Sequence, residues 1–232
     1  MKRLRPSAAL LVAAGAALLA LLAYPAVAEA AIARFGVRAV AGALLMLDAV
    51  PLLARLALDP GGRLRIALQH GGTLVLAALA LASGDGLWLL LFPALVNATL
   101  CGIFLASRRD DPCIVESLVL WLQPRTPDFV RPYCRALALL WGGIFGLAAL
   151  AIAAAALLAP GAWRTAALPG YASVVVAVSA AEFVFRKLWF RHYTSRPLDQ
   201  WFARHFPAER TERGRRSRAY IERMKALGYH RE

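Results

Sequence analysis

Charged residues, above all acidic ones, are scarce in this chain of 232 residues. They make up 18% of the sequence, whereas an ordinary soluble domain contains about 25%. Hydrophobic residues make up 60%, which excludes a disordered chain and is uncommon in a soluble domain. Because only 14 acids face 27 Lys and Arg, the formal net charge is +13. Nucleic-acid-binding proteins share that charge but not the apolar content. The composition therefore indicates a polytopic membrane protein with basic flanks and no nucleic-acid partner.

The sequence also lacks the motifs of common catalytic and metal sites. It contains no Walker loop, GxSxG elbow, HExxH or CxxC motif, and no Asp-rich motif of alcohol phosphotransferases. The His-x4-Asp pattern of many acyltransferases is absent, since Val75 stands at that spacing after His70 and Pro197 after His192. These absences predict a protein without catalytic residues, a metal or a cofactor.

Six apolar stretches are long enough to cross a bilayer, which takes about 20 mostly apolar residues. They cover residues 7–28, 35–56, 64–83, 87–106, 136–158 and 167–185. Short connections join them, apart from one long connection at 107–135. The sequence therefore predicts an all-α transmembrane helical bundle at 1–186, followed by a basic, helical cytoplasmic tail at 187–232.

Basic residues collect on one side of these spans. If the N-terminus is cytoplasmic, 24 of the 27 Lys and Arg fall on the cytoplasmic side, and 13 of these lie in residues 186–232. The positive-inside rule then predicts that both termini are cytoplasmic. High Ala, Leu and Arg usage favours a bacterial source, so we expect a multi-pass protein of the bacterial inner membrane.

The first stretch permits a different start. Its basic N-terminus, its apolar run and the small residues Ala26-Val27-Ala28 imitate a cleaved secretory signal. Cleavage would leave five spans and move no other segment. The three cysteines, Cys101, Cys113 and Cys134, fall in or near the cytoplasmic half of either topology, so we expect free thiols there.

Polar side chains inside the predicted spans are few, because a charged group at the bilayer centre costs about 2.5–3.5 kcal/mol. The candidate intramembrane site consists of Asp48, His70, Pro93, Asn97 and Glu182. Asp48 either needs a partner from another helix, such as His70 or Asn97, or stays protonated. Both a packing role and a proton or substrate role are open.

The other intramembrane residues suggest a kink and an ion pair. Pro93 has no N–H and frees the carbonyl of Leu89, which predicts a kinked helix with Asn97 one turn further on. Such a kink either lines a cavity or is a static packing device. Glu182 precedes Arg186 by four residues, the spacing of a helical ion pair.

The cytoplasmic segments contain a short helix and a basic one. Residues 110–123 predict an interfacial helix, with Asp111 as its N-cap and Pro112 at the first helical position. Its Glu116 either meets Arg131 or Arg135 across the loop or stays solvated. The tail begins with basic and aromatic residues typical of an interface anchor, and residues 207–227 predict a basic helix. That helix either attracts anionic lipid or docks an acidic cytosolic partner, such as an acyl carrier protein.

The sequence contains several short motifs in a characteristic order. They are Phe92-Pro93 with Asn97, Pro112 with Glu116, Tyr133 with Arg135, Trp141 with Phe145, and Glu182 with Arg186. In the order and spacing of these motifs, the chain from about residue 20 to residue 190 resembles an uncharacterised family of small bacterial inner-membrane proteins. That family is encoded beside ketosynthases, acyl carrier proteins and acyltransferases in aryl-polyene-type pigment and fatty-acid-like gene clusters.

The chain departs from that family in three places. Gly146 and Leu147 occupy the region where the resemblance leads us to expect an Asn, and Pro169-Gly170 replaces an Asn-Gly pair. The tail after about Thr194 is additional.

The resemblance implies a non-catalytic accessory protein of a lipid-linked polyketide or fatty-acyl pathway. It would recruit cytosolic enzymes or a carrier protein, or aid transfer of the product. The residues expected to take part in cytoplasmic interactions are Glu116, Tyr133, Arg135 and Arg186. The expected partners are the lipid bilayer, anionic lipids at the cytoplasmic face and the pathway proteins. The alternatives are a small transporter or flippase with the polar site at its midplane and, less favoured, a membrane acyl- or glycosyltransferase.

Overall fold

The computed structural model describes residues 23–24, 26–58, 63–122, 126–191, 193 and 197–227. Within these ranges all regular structure is helical and no strand occurs, which confirms the all-α class. The chain divides into two compact units, Met1–Tyr171 and Ala172–Glu232.

The described part of the first unit is a succession of helices. In order, they are α1 (26–35), α2 (Val37–Leu58), α3 (Arg63–Ser83), α4 (Leu87–Leu90), α5 (Phe92–Ser107), α6 (Ile114–Leu122), α7 (Arg131–Leu158) and α8 (Pro160–Thr165). A 3-10 turn at Asp128–Val130 precedes α7, and a π-helical turn at Ala166–Gly170 follows α8. The second unit contains α9 (Tyr171–Phe190), α10 (Pro197–His205), a 3-10 turn (Ala208–Arg210) and α11 (Glu212–Ala226).

Three of the described helical stretches are long and apolar enough to cross a membrane. They are Val37–Ala54, Leu87–Ser107 and Asp128–Leu158, and they coincide with the second, fourth and fifth predicted spans. Their length and composition associate the protein with a membrane.

The other three predicted spans have different outcomes. Most of residues 7–28 lies outside the described part of the chain. The stretch at 64–83 falls on α3, in which His70–Ser83 is a shorter apolar helix. The stretch at 167–185 falls on the π-helical turn and α9, and α9 carries Glu182, Arg186 and Lys187 in its second half.

The short α4 lies between two apolar clusters. One joins α2, α3 and α4 through the buried residues Ala41, Ala80 and Leu89. The other joins α5, α7 and the segment around α8, through the buried residues Ala94, Ile152, Ala156, Trp163 and Ala167. The junction of α4 with α5 is therefore where the helices of this unit meet.

Glycines let α5 and α7 approach closely. A Cβ on Gly142 would lie 2.8 Å from Cδ2 of Leu105, and one on Gly146 would lie 3.1 Å from Sγ of Cys101. Small residues at such contacts bring helix backbones together in membranes. This contact gives a packing reason for glycine at 146, in the region where the resemblance led us to expect an Asn.

Two predicted helix starts are wrong. The loop helix begins at Ile114, because the carbonyl of Cys113 accepts the N–H of Ser117 at 2.8 Å. Asp111 does not cap it and instead lies 3.7 Å from Arg131. Pro112 likewise precedes the helix rather than occupying its first position.

The tail helix begins at Glu212 rather than at residue 207. Thr211 has an extended backbone, and its hydroxyl accepts the N–H of Gly214 at 3.1 Å. This hydrogen bond is an N-cap, so the residues before Thr211 form a separate 3-10 turn. The helix ends at Ala226, one residue before the predicted end at 227.

Candidate functional site

The break between α4 and α5 exposes two backbone acceptors, and aromatic side chains from elsewhere in the chain satisfy both. The hydroxyl of Tyr24 donates to the carbonyl of Leu89 at 2.9 Å. The indole N–H of Trp163 donates to the carbonyl of Leu90 at 2.9 Å. Pro93 itself is buried. The break is therefore closed by protein donors, as a lipid environment requires.

Asn97 completes this junction from within α5. Its Nδ2 donates to the carbonyl of Pro93 at 2.8 Å, and the side chain is buried. Its Oδ1 is a buried atom without a hydrogen-bond partner in the described structure. Of the two roles left open for the kink, this geometry favours static packing, because the carbonyls at the break do not need a ligand.

Asp48 of α2 and His70 of α3 form the main polar contact within the predicted spans. The Oδ1 of Asp48 lies 2.6 Å from Nδ1 of His70. The hydroxyl of Thr73 donates to the other oxygen, Oδ2, and also lies 2.7 Å from the carbonyl oxygen of His70. Of the two partners predicted for Asp48, His70 is the one that it meets, while Asn97 bonds to its own helix.

Sequence reasoning missed Thr73. Its position three residues after His70 places both on one face of a helix, which is the only local signal. Within the described structure, Nε2 of His70 is buried and has no hydrogen-bond partner. The cluster is thus an Asp, a His and a Thr side chain in direct contact between α2 and α3.

An apolar groove borders α3 on the side away from His70 and Thr73. It has a volume of about 520 Å³ and runs between α3, α5 and α7. Small and aliphatic residues line it: Gly71, Gly72, Val75, Leu76, Leu91, Ala94, Leu95, Ala98, Ala149, Leu150 and Ala153. A groove of this chemistry suits a hydrocarbon chain rather than a polar ligand.

The long connection between α5 and α7 is held together at Arg131. Its Nε lies 3.0 Å from Oε1 of Glu116, and the same guanidinium lies 3.2 Å from Asp128. Glu116 is only 3% exposed, and its Oε2 has no hydrogen-bond partner in the described structure. Of the two predicted partners, Glu116 therefore meets Arg131, while Arg135 is exposed on α7.

The three cysteines and Tyr133 lie in or near the connection between α5 and α7. Cys113 and Cys134 are buried free thiols, and Cys101 is a partly buried one. Tyr133 is half-buried near the start of α7. Among the residues that the structure describes, no group of three or more His, Cys, Asp or Glu is arranged to hold a metal ion.

Contacts within the second unit fold the tail against the end of α9. Lys187 lies 2.6 Å from Asp199 of α10, and the guanidinium of Arg213 lies 3.7 Å above the ring of Trp189. Arg191 donates from Nη1 to the carbonyl of Pro207 at 2.7 Å. Glu182 and Arg186 form the predicted i,i+4 pair, at 3.5 Å.

Comparison with protein-family models, with curated proteins and with solved structures finds no match to this chain.

Proposed function

We propose that this chain is a non-catalytic, multi-pass accessory protein of the bacterial inner membrane. It holds acidic cytosolic proteins of a lipid-linked polyketide or fatty-acyl pathway at the membrane, and an acyl carrier protein is the expected partner. The observation that carries the proposal is an arginine-rich face of α11 on a folded tail. The pathway rests on the resemblance of the sequence motifs.

The proposed topology has six spans with both termini in the cytoplasm. It assigns Tyr24, the turn before α4, and Trp163 to the outer ends of their spans. The hydrogen bonds from Tyr24 and Trp163 to the adjacent carbonyls of Leu89 and Leu90 support this alternation, because they join these three segments in one place.

The face of α11 suits an acidic protein. Arg216 and Arg223 are exposed and seven residues apart, so they lie on the same side of the helix, where Arg216 also pairs with Glu212 at 2.9 Å. Gly214 and Ser217 are buried, so the helix packs through a different side. Exposed cationic residues steer an acidic partner and strengthen its binding at low ionic strength.

Charge reversal on this face tests the proposal. The purified full-length protein in lipid nanodiscs is titrated with the acyl carrier protein of its own host. Replacing Arg216 and Arg223 by Glu should weaken binding by about tenfold or more, which corresponds to about 1.4 kcal/mol. The matched control is Arg34→Glu, on the predicted outer side. Equal affinity of the wild type and the double variant would show that the carrier protein does not bind at Arg216 and Arg223. No binding by the wild type would show that the acyl carrier protein is not the partner.

A second candidate function is a small, proton-dependent transporter or flippase. The contact of Asp48 with His70 favours it, because an ionisable pair at bilayer depth is commonly functional. Asp48→Asn should then abolish translocation of a fluorescent phospholipid in proteoliposomes, while Asp85→Asn, in an exposed turn, should not. Wild-type translocation by the Asp48→Asn variant would exclude this candidate.

A further inference from the structure

Two contacts hold the tail at the level of the last turns of α9. Lys187 and Asp199 lie 2.6 Å apart, and both side chains are largely buried. Ion pairs shielded in this way persist better than exposed ones, which solvent and salt screen. The guanidinium of Arg213 stacks on Trp189 at 3.7 Å. Together these contacts place α10 and the start of α11 within one side-chain length of the end of α9.

The helix α10 has two different faces. Asp199 and Phe202 are buried, and Asp199 pairs with Lys187 of α9. Leu198 and Trp201 are 54% and 51% exposed, and the ring of His205 lies 4.5 Å from that of Trp201. Positions 198, 201 and 205 have the i, i+3, i+7 spacing of one helix face. The inner face thus builds the fold of the tail, whereas the outer face presents an aromatic and aliphatic surface.

Both α9 and α10 carry residue types that are common at membrane interfaces. Phe185 and Trp189 at the end of α9 stack at 5.0 Å and are partly exposed. Arg186 and Arg204 are exposed on the same two helices. Aromatic rings with flanking arginines occupy the headgroup level of bilayers, where the positive charge meets anionic phosphate. The apolar face is continuous in the chain with the end of α9, which favours lipid over a cytosolic protein as its occupant.

We propose that the outer face of α10, formed by Leu198, Trp201 and His205, lies in the cytoplasmic headgroup layer and binds anionic phospholipid. The inference rests on the proposed topology, in which α9 is the last membrane span. It assigns the two tail helices different tasks. The α10 helix binds the tail to the membrane, and the Arg216–Arg223 face of α11 stays accessible to a cytosolic partner.

Site-specific photo-cross-linking in the full-length protein tests this assignment. The photoreactive residue p-benzoylphenylalanine replaces Trp201 in one variant, the exposed Val176 of α9 in a second, and the exposed Ala219 of α11 in a third. Val176 lies at the middle of the predicted span 167–185. Membranes contain radiolabelled phosphatidylglycerol, and lipid attached to the protein is measured after irradiation. The expected result is lipid labelling at residues 201 and 176 and no lipid labelling at residue 219.

Each other outcome overturns a different statement. Labelling at 176 without labelling at 201 would contradict the binding of lipid by α10 but would still support α9 as a membrane span. No labelling at 176 or 201 removes the proposed span itself. Attachment of a protein instead of lipid at 201 assigns this face to a protein partner and overturns the proposal. Equal lipid labelling at 201 and 219 removes the distinction between the two tail helices.

The ion pair to α9 has its own test. Asp199→Ala removes the partner of Lys187, so lipid labelling at 201 should fall while labelling at 176 stays constant. Asp199→Glu, which retains the charge, is the matched variant and should retain labelling. Undiminished labelling in Asp199→Ala would show that the ion pair does not position α10.

Discussion

The hydroxyl of Tyr24 donates a 2.9 Å hydrogen bond to the carbonyl of Leu89, a residue 65 positions further along the chain. In an uninterrupted helix, that carbonyl would accept the N–H of residue 93, which is a proline and has none. A polar atom freed by the local sequence of one helix is thus satisfied by a distant residue. The break between α4 and α5 therefore joins separate helices of the first unit.

Removing this donor should destabilise the fold. Tyr24→Phe deletes the hydroxyl but keeps the ring, whose centroid lies 5.9 Å from that of Phe92. The carbonyl of Leu89 then loses its side-chain donor, and we expect a loss of about 1–3 kcal/mol in the free energy of unfolding. Equilibrium denaturation of the purified protein in mixed micelles measures it.

Pro93→Ala provides the matched background, because alanine restores an N–H to the position that Leu89 would use. In that background Tyr24→Phe should cost clearly less. The same loss in both backgrounds would contradict the assignment, since the hydroxyl would then act independently of the break.

A second prediction concerns Glu116 and Arg131, which lie 3.0 Å apart. Glu116→Gln weakens the contact that holds α6 to the start of α7. We expect about 1–3 kcal/mol of local stability to be lost, toward the lower end because Arg131 is about half exposed. Hydrogen exchange of the amides of α6 measures this opening.

Asp128→Asn is the control for this pair. The side chain of Asp128 also contacts Arg131 but is 89% exposed, so its loss should change stability by no more than about 0.5 kcal/mol. Equal acceleration of exchange in the two variants would indicate that burial of Glu116 does not matter.

The sequence predicted what depends on local spacing and on long apolar runs. The helical class follows from those runs, and the Glu182–Arg186 pair follows from four-residue spacing. Asp48 was expected to need a partner because a charged group at bilayer depth is costly. The choice of His70 over Asn97 depends on how the helices pack, which apolar Ala- and Leu-rich helices do not specify.

The donors at the helix break were not predictable for the same reason. Tyr24 and Trp163 carry no local signal that points to Leu89 or Leu90. Their roles exist only because separate helices meet at the α4–α5 junction. The two mistaken helix starts have a different cause. Several residues near each start can cap a helix, and only the observed backbone distinguishes Thr211 and Cys113 from their neighbours.

A third prediction concerns Gly214 at the start of α11. A Cβ at this position would lie only 2.2 Å from the carbonyl oxygen of Ala208, a backbone atom that cannot rotate away. Gly214→Ala should therefore displace the 3-10 turn from the helix and expose the tail to protease. Gly161→Ala is the control, because a Cβ there meets no atom within 4 Å. Equal rates of limited proteolysis in these variants would contradict the contact.

The last prediction is a pH dependence of α11. The pKa of Glu212 is lowered, chiefly by hydrogen bonds from Arg215 and Arg216, each 2.9 Å long, and further by their positive charges. Because folding lowers this pKa, the pair contributes stability at pH values above the unfolded pKa. That contribution is lost as the pH falls through the folded pKa.

We therefore expect the first turn of α11 to fray on acidification below the ordinary glutamate range. Amide exchange of residues 213–216, corrected for the intrinsic effect of pH, measures this change. Glu212→Gln removes the titrating group, so the loss of protection that is due to Glu212 should disappear. The pH dependence that is due to other carboxylates should remain. If wild type and Glu212→Gln lose protection along the same pH curve, the arginine contacts to Glu212 do not stabilise the start of the helix.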